Sequence, residues 1–209
     1  MFDATDKASP GYYGPSQTAL LLLDFHQTFV EKLGAEATAA ALRTAAEMRK
    51  WAKVQGIQVI HALIDTDLSP FEVCKDVARI TAVVAAMKAA GGGEVFELHE
   101  GGSDNEVTFT RRAGHVSAFR SSGLEDFLRD HEIRSLILTG LSTSGCVLRT
   151  ALAATDAEYI VSVISDGCAD PADGVHEFMM DKILNHRGYV STAAEFRDGF
   201  SQMIAQAKK

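Results

Sequence analysis

The sequence has few cysteines, no excess of basic residues and no long apolar segment. Its 209 residues include three cysteines, Cys74, Cys146 and Cys168, and none of them belongs to a CxxC pair. Three cysteines cannot all pair within one chain, so the count favours a reducing compartment over a disulfide framework. Strictly apolar runs, such as the one from Ala19 to Leu23, are far shorter than the roughly 20 residues that cross a bilayer.

The balance of charge is acidic. The chain has 28 Asp and Glu residues against 20 Lys and Arg, a formal net charge of -8. Nucleic acids and anionic membranes attract basic patches, so we expect neither as a partner. Residues 1–16 lack the basic and apolar regions of a signal peptide, and we expect a cytoplasmic protein. We also expect one domain over residues 1–209, with residues 1–16 as an irregular N-terminal arm.

Apolar stretches typical of strands alternate with stretches of helical periodicity. The six predicted strands lie at residues 18–25, 57–64, 107–110, 135–139, 159–164 and 189–192. The predicted helices lie at residues 35–54, 71–90, 124–131, 147–154, 175–185 and 196–207. Strands separated by helices form a parallel sheet covered on both faces, and right-handed crossovers favour a doubly wound topology. The sequence therefore predicts an α/β fold with a six-stranded parallel sheet, a Rossmann-like three-layer α/β/α arrangement.

A cysteine follows the fourth predicted strand, at the point where a helical pattern begins. The segment Gly140-Leu-Ser-Thr-Ser-Gly-Cys146 comes directly after that strand, and the helical pattern opens at Val147. Unpaired N–H groups and the positive dipole end at the first turn of a helix favour a thiolate, which is the nucleophilic form of cysteine. The pattern predicts Cys146 as a nucleophile with a lowered pKa. The alternative is a small buried packing residue.

Reactive side chains follow several of the predicted strands. Asp24 ends the first strand, Asp65 follows the second, Arg111 and Arg112 follow the third, and Cys146 follows the fourth. Ligands of doubly wound sheets bind beyond the carboxyl ends of the strands. An uncompensated carboxylate next to an apolar strand is costly, so we expect Asp24 to have a specific partner. An acid, a cation and a thiol are therefore predicted on one edge of the sheet.

Three motifs in the chain resemble those of the isochorismatase-like cysteine hydrolase superfamily. The segment from Leu21 to Phe29 resembles the strand end that bears the family's catalytic aspartate, which is Asp24 here. The segment from Gly140 to Cys146 resembles the nucleophile turn, and the segment from Arg112 to Phe119 resembles the one that carries the catalytic lysine. The motifs occur in the family's order and span nearly the whole chain. The resemblance implies a catalytic set of Asp24, Arg112 and Cys146.

The chain departs from the family at the lysine position, which holds an arginine. Arg112 is the better match because a glycine follows it two residues later, and Arg111 is the alternative because the register before Ser117 varies. A guanidinium stays charged, so it can hold a thiolate and a carboxylate but cannot readily lend a proton. The change implies that the enzyme relies on Asp24 alone for proton transfer, is slow, or has lost the reaction.

The resemblance also implies a mechanism and a set of substrate-binding residues. Cys146 would attack a carbonyl carbon, Asp24 would take the thiol proton, and the N–H groups of Cys146 and Ser142 would receive the oxyanion. The family commonly has a cis peptide in this turn, which would lie between Leu141 and Ser142. The residues expected to contact substrate are His26, Phe29, Arg111, His115, Phe119, Leu141, Ser142 and Gly145.

Neither a metal nor an organic cofactor is predicted. Some relatives, the nicotinamidases, hold a metal with an Asp-x-His pattern after the second strand, whereas this chain has Asp65-Thr-Asp67. The glycines at 140 and 145 are spaced as in a P-loop, but no Lys-Ser/Thr follows them. No GxGxxG motif opens the first helix, which argues against a dinucleotide.

The leading hypothesis is a metal-independent cysteine hydrolase that cleaves a small amide, carbamoyl or related C–N or ester-like bond through a thioester-type intermediate. The first alternative is a catalytically impaired member of the family that binds a small molecule. The second is a thiol-based redox protein, which the absence of a resolving cysteine near Cys146 makes less favoured. The resemblance implies a homo-oligomer, a dimer or tetramer.

Overall fold

The first strand, β1 (Thr18–Leu23), is buried along its whole length in the computed structural model, which describes residues 1–33, 36–102 and 105–207. Its side chains alternate between two core clusters. Leu21 and Leu23 pack into one cluster, and Leu20 and Leu22 pack into the other. A strand that is covered on both faces needs an unbroken apolar run rather than an alternating pattern. The four consecutive leucines therefore make β1 a central strand.

All strands of the sheet are parallel, in the order β3-β2-β1-β4-β5-β6. The other five are β2 (Gln58–Asp65), β3 (Glu106–Arg112), β4 (Ser135–Leu141), β5 (Ile160–Ala169) and β6 (Tyr189–Ser191). The helices are α1 (Gln27–Leu33), α2 (Glu36–Gln55), α3 (Val77–Ala89), α4 (Leu124–Asp130), α5 (Leu148–Asp156), α6 (Val175–Phe178) and α7 (Ala193–Ala207). The predicted doubly wound α/β fold is confirmed.

The order of the strands reverses between β1 and β4. The chain runs outward from β1 to β2 and β3, and it then returns to the opposite side of β1 to form β4. The connections that leave β1 and β4 therefore diverge, and a crevice opens beyond the carboxyl ends of these two strands. Asp24 directly follows β1, and the segment that contains Cys146 follows β4. The topology thus brings the predicted acid and the predicted nucleophile to the same crevice.

Several predicted helix boundaries differ from the structure for local reasons. The helix predicted from residue 71 begins only at Val77, because the residues before it form turns and Asp76 has a left-handed backbone with φ of 55°. The last helix begins earlier than predicted, at Ala193, because Thr192 and Glu195 form a reciprocal capping box before it. The helix predicted at 175–185 is α-helical only to Phe178. Ala35, the predicted start of another helix, lies outside the described residues.

The N-terminal arm packs onto the body of the protein. It contains a short 3₁₀ turn at Pro10–Tyr12, and the ring of Phe2 meets the rings of Phe196 and Phe200 edge-on, with centroid distances of 5.2 and 6.4 Å. The arm and α7 thus contribute residues to the same apolar cluster on one face of the sheet. Among the helices that the structure describes, none has both the length and the apolar character that a membrane crossing requires.

The close approach of β1 and β4 at Gly140 predicts a large loss of stability on substitution. A Cβ atom at this position would lie 2.5 Å from Cβ and 2.6 Å from the carbonyl oxygen of its strand partner Leu23. Because backbone atoms cannot yield as side chains do, we expect Gly140→Ala to lower the free energy of unfolding by about 2–3 kcal/mol. Urea denaturation followed by circular dichroism measures this change.

Gly14→Ala is the matched control, because nothing lies within 4 Å of a Cβ atom built there. We expect its denaturation midpoint to remain at or slightly above that of the wild type, since alanine restricts the unfolded chain. Equal midpoints for the two variants would contradict the close approach of the strands.

Candidate active site

Three strand ends bring an acid, a cation and a thiol into contact. Asp24 follows β1, Arg111 is the penultimate residue of β3, and Cys146 lies in the turn after β4. Asp24 has a left-handed backbone with φ of 57°, and its N–H donates to the carbonyl of Ala62 in β2. Aspartate is among the few residues that adopt this conformation at modest cost. The backbone turn directs the carboxylate away from the strand and into the crevice.

Asp24 and Arg111 form a buried, two-pronged ion pair. The Nη1 and Nη2 atoms of Arg111 donate to the two carboxylate oxygens at 2.9 and 2.5 Å, and its Nε donates to the carbonyl of His115 at 3.1 Å. Only 4% of Asp24 and 2% of Arg111 is exposed. Burial by itself would lower the pKa of Arg111, but the charge of Asp24 and its hydrogen bonds raise it, so the guanidinium stays charged. Arg111 is thus the specific partner that the sequence analysis expects for Asp24.

The structure brings Arg111, the alternative to Arg112, into contact with Asp24 and Cys146, and it does not bring Arg112 there. Successive side chains of β3 point to opposite sides, so only one of the two arginines can reach Asp24. Arg112 is exposed and donates to the carbonyls of Ser69 and Pro70 at 2.6 and 3.1 Å. The guanidinium of Arg112 therefore stabilises the segment that follows β2 and does not contact the site.

The sulfur of Cys146 lies between Arg111 and a threonine. Arg111 Nη2 is 3.5 Å from Sγ, and the hydroxyl oxygen of Thr150 is 3.7 Å from it. The same hydroxyl oxygen accepts the N–H of Ala118 at 2.9 Å. An oxygen that accepts there keeps its own proton available to donate to the sulfur. Thr150 belongs to the nucleophile motif, but nothing in the sequence indicated that its side chain would reach back to Cys146.

The predicted lowering of the Cys146 pKa is wrong for the unliganded protein. Burial raises the pKa of this thiol well above its ordinary value, Asp24 raises it further, and the opposing effects of Arg111 and Thr150 are smaller. The dipole argument also weakens, because α5 begins two residues after Cys146, which lies in a π-helical turn with a kink at Gly145. The raised pKa favours the neutral thiol as the resting form of Cys146.

Hydrogen bonds from the segment after β5 hold the turn before Cys146. The N–H of Ser144 donates to the carboxylate of Asp170 at 2.8 Å, and the hydroxyl of Thr143 lies 2.8 Å from Nδ1 of His176. The peptide bond between Leu141 and Ser142 is cis, as the family resemblance implied. Asp170 and His176 both follow β5, so the segment after that strand fixes the path of the turn. Neither residue is among those that the sequence analysis expects to contact substrate.

His26 lies next to Asp24 and hydrogen-bonds to the backbone of β2. Its Nε2 accepts the N–H of Ile64 at 2.9 Å and lies 3.9 Å from a carboxylate oxygen of Asp24. Burial lowers the pKa of His26, which keeps the ring neutral and able to accept. The ring also meets Phe29 edge-on at 5.5 Å. His26 therefore connects the segment that follows Asp24 to β2, and it does not line the cavity.

A cavity of about 400 Å³ opens onto Asp24, Arg111 and Cys146. Of the residues predicted to contact substrate, five line it: Phe29, Arg111, His115, Leu141 and Ser142. His26, Phe119 and Gly145 do not line it, and Phe119 instead packs against Tyr159 in the core. Sequence reasoning missed the apolar wall that α3 contributes, Ile80, Val83, Val84 and Met87. Their i, i+3, i+4, i+7 spacing is the signal that could have found this face.

Two curated proteins are similar to parts of this chain in sequence. A nicotinamidase of Escherichia coli is 47% identical over 64 residues, which cover 29% of this chain and 30% of that protein. A ureidoacrylate amidohydrolase of Caulobacter vibrioides is 36% identical over 89 residues, 42% of this chain and 39% of that protein. The matches to these two relatives thus span less than half of their length. Their names describe those proteins alone.

The fold also matches solved structures over nearly its whole length. A cysteine hydrolase of Pseudomonas syringae superimposes with a TM-score of 0.78 at 21% sequence identity, covering 91% of this chain and 95% of that one. The family model described as the isochorismatase domain matches residues 18–195, from the start of β1 into α7. This match includes Asp24, Arg111 and Cys146. The chain belongs to the isochorismatase family.

Proposed function

We propose that this protein is a hydrolase that cleaves a small amide through a thioester on Cys146. The observation that carries the proposal is the shared Nη2 of Arg111, which binds the Asp24 carboxylate at 2.5 Å and lies 3.5 Å from the Cys146 sulfur beside an open cavity. Membership of the family and the amide-cleaving relatives, a nicotinamidase and a ureidoacrylate amidohydrolase, support the same reaction class.

The proposed reaction proceeds in two stages. The Cys146 thiol transfers its proton to Asp24 as sulfur attacks the carbonyl carbon, and the N–H groups of Ser142 and Cys146 receive the oxyanion. Asp24 passes that proton to the leaving nitrogen, the C–N bond breaks, and an amine and a thioester result. Water then attacks the thioester with Asp24 as base, and the carboxylic acid leaves as the thiol re-forms. The sum is one amide and one water converted to one acid and one amine.

Arg111 orients groups and stabilises charge in this scheme, and it transfers no proton. A guanidinium remains protonated throughout, so all proton transfer is assigned to Asp24. The positive charge of Arg111 favours the thiolate as the proton leaves Cys146, because burial otherwise opposes a negative charge on this sulfur. The alternative of an inactive binding protein is not favoured, because the arginine occupies a position from which it contacts both other groups.

Replacement of the nucleophile should stop acylation. We expect Cys146→Ala to lower turnover by about 1000-fold or more, because no other group can form the thioester. With 4-nitrophenyl acetate as a small activated acyl donor, mass spectrometry should find an acetyl group on Cys146 of the wild type. Cys168→Ala is the control, because burial raises the pKa of Cys168 to about 12 and the residue does not line the cavity. Undiminished turnover by Cys146→Ala would exclude the mechanism.

The two adjacent arginines should differ sharply on substitution. Arg111→Gln leaves the Asp24 carboxylate buried without a cation, so we expect a loss of about 3–5 kcal/mol of stability and about 100-fold or more in turnover. Arg112→Gln removes only exposed bonds to the carbonyls of Ser69 and Pro70 and should change turnover by less than about 3-fold. Thermal denaturation and steady-state kinetics of the same preparations measure both. A larger kinetic loss in Arg112→Gln would contradict the assignment.

Alkylation of Cys146 should require high pH. Because burial raises the pKa of this thiol, the thiolate fraction is small near neutrality and grows as pH rises through and beyond the ordinary range. We expect the rate of iodoacetamide labelling at Cys146, followed by peptide mass spectrometry, to be still increasing at about pH 9–10. A rate that reaches its plateau below about pH 8 would mean that the thiolate is the resting form.

A further inference from the structure

The charges that line the cavity do not balance. Its wall contains one carboxylate, Asp24, and three permanent cations, Lys32, Arg79 and Arg111. Asp24 and Arg111 neutralise each other within their ion pair. Two positive charges therefore remain in the wall of a cavity that belongs to a chain with a formal net charge of -8. The cavity is locally positive in an acidic protein.

Lys32 and Arg79 lie on the helix faces that form the apolar wall. Lys32 follows Phe29 by three residues on α1, and Arg79 precedes Val83 by four residues on α3. These spacings place each cation on the same face as an apolar wall residue. Both cations are exposed, whereas Asp24, Arg111 and Cys146 are buried. The cations thus lie at the mouth of the cavity, and the reacting groups lie at its floor.

The two charges at the mouth form no salt bridge in the described part of the chain. Other exposed cations of the protein do have one: Arg43, Lys88 and Arg129 each lie within 2.8 Å of a carboxylate oxygen. Within residues 1–33, 36–102 and 105–207, no carboxylate lies within 4.0 Å of the charged group of Lys32 or Arg79. Their charge remains available to a ligand in the cavity.

We propose that the substrate is an amide that carries a carboxylate at the end remote from the scissile bond, and that Lys32 and Arg79 bind this carboxylate. The inference rests on the proposed function, since it assigns the amide carbonyl to Cys146. The body of the substrate packs against the apolar side chains of α3. Two cations at the mouth also attract an anion from solution, which raises the rate of encounter in a protein that otherwise repels it.

Binding to the Cys146→Ala variant tests the assignment without turnover. Three carboxylated amides of different length and shape, succinamate, glutaramate and 4-carbamoylbenzoate, are compared with the neutral butanamide, pentanamide and benzamide by isothermal titration calorimetry. We expect at least one carboxylated amide to bind about 10-fold or more tightly than its neutral partner. The advantage should shrink as salt concentration rises, because the cations are exposed.

Charge-matched double variants identify the groups responsible. Lys32→Gln/Arg79→Gln in the same Cys146→Ala background should remove the preference for the carboxylate. Lys50→Gln/Arg149→Gln removes the same net charge from exposed residues outside the cavity wall and should retain the preference. The comparison separates a local contact from a general effect of net charge.

The remaining outcomes each decide the question. Equal affinity for charged and neutral partners, no binding of any carboxylated amide, or a preference that survives Lys32→Gln/Arg79→Gln would overturn the inference. Preferential binding of the carboxylate together with complete failure of the wild type to acylate or hydrolyse would leave the anion site standing and reject the proposed hydrolase activity. The two proposals therefore fail separately.

Discussion

The buried pair of Asp24 and Arg111 is the interaction around which the site is organised. Asp24 follows β1 and Arg111 belongs to β3, and these strands are not neighbours, because β2 lies between them in the sheet. The arginine side chain, which lies beside Ile64 in the register, therefore spans β2 to form the contact. Removal of two charges from water is costly, and here both carboxylate oxygens and the Nε group of Arg111 have partners, which offsets that cost. The ion pair also fixes the position of Arg111 Nη2, the atom that contacts the Cys146 sulfur.

The burial that strengthens the ion pair also lowers the thiolate fraction of Cys146, because it raises the pKa of this thiol. A dry site strengthens the attraction between Arg111 and Asp24, but it also raises the pKa of Cys146. Arginine suits such a site better than a group that can lose its proton, because it stays charged however strongly it is buried. In the proposed mechanism, activation of the sulfur depends on proton transfer to Asp24 within the complex, rather than on a thiolate that exists beforehand. Thr150 adds a neutral donor on the other side of the sulfur.

The sequence was sufficient for the fold, the order of the motifs and two of the three central residues. Continuous apolar runs identified the strands, and Asp24 and Cys146 each follow a strand directly, so their position on the sheet edge could be deduced. The choice between Arg111 and Arg112 could not, because it depends on the phase of β3. The predicted strand ended at residue 110, before both arginines, whereas the real one extends through Arg112 in register with β2.

The pKa of Cys146 was mispredicted for a related reason. The position of a cysteine near a helix is visible in the sequence, but the depth at which it is buried depends on residues from several elements. Likewise, Asp170 and His176 hold the nucleophile turn from a segment that follows β5, and no local pattern connects them to it. Contacts between segments distant in sequence determine these properties, so a single chain read in order does not reveal them.

The floor and the mouth of the cavity have different structural origins. The floor consists of residues at strand ends, whose positions are fixed by the hydrogen bonds of the parallel sheet. The mouth is formed by α1 and α3, where an exposed side chain such as Lys32 or Arg79 can change without disturbing a strand. The two proposals thus assign reaction type and substrate preference to separate parts of the chain. The motifs at strand ends suggest the chemistry, whereas the proposed substrate class rests on the helix faces around the cavity seen together.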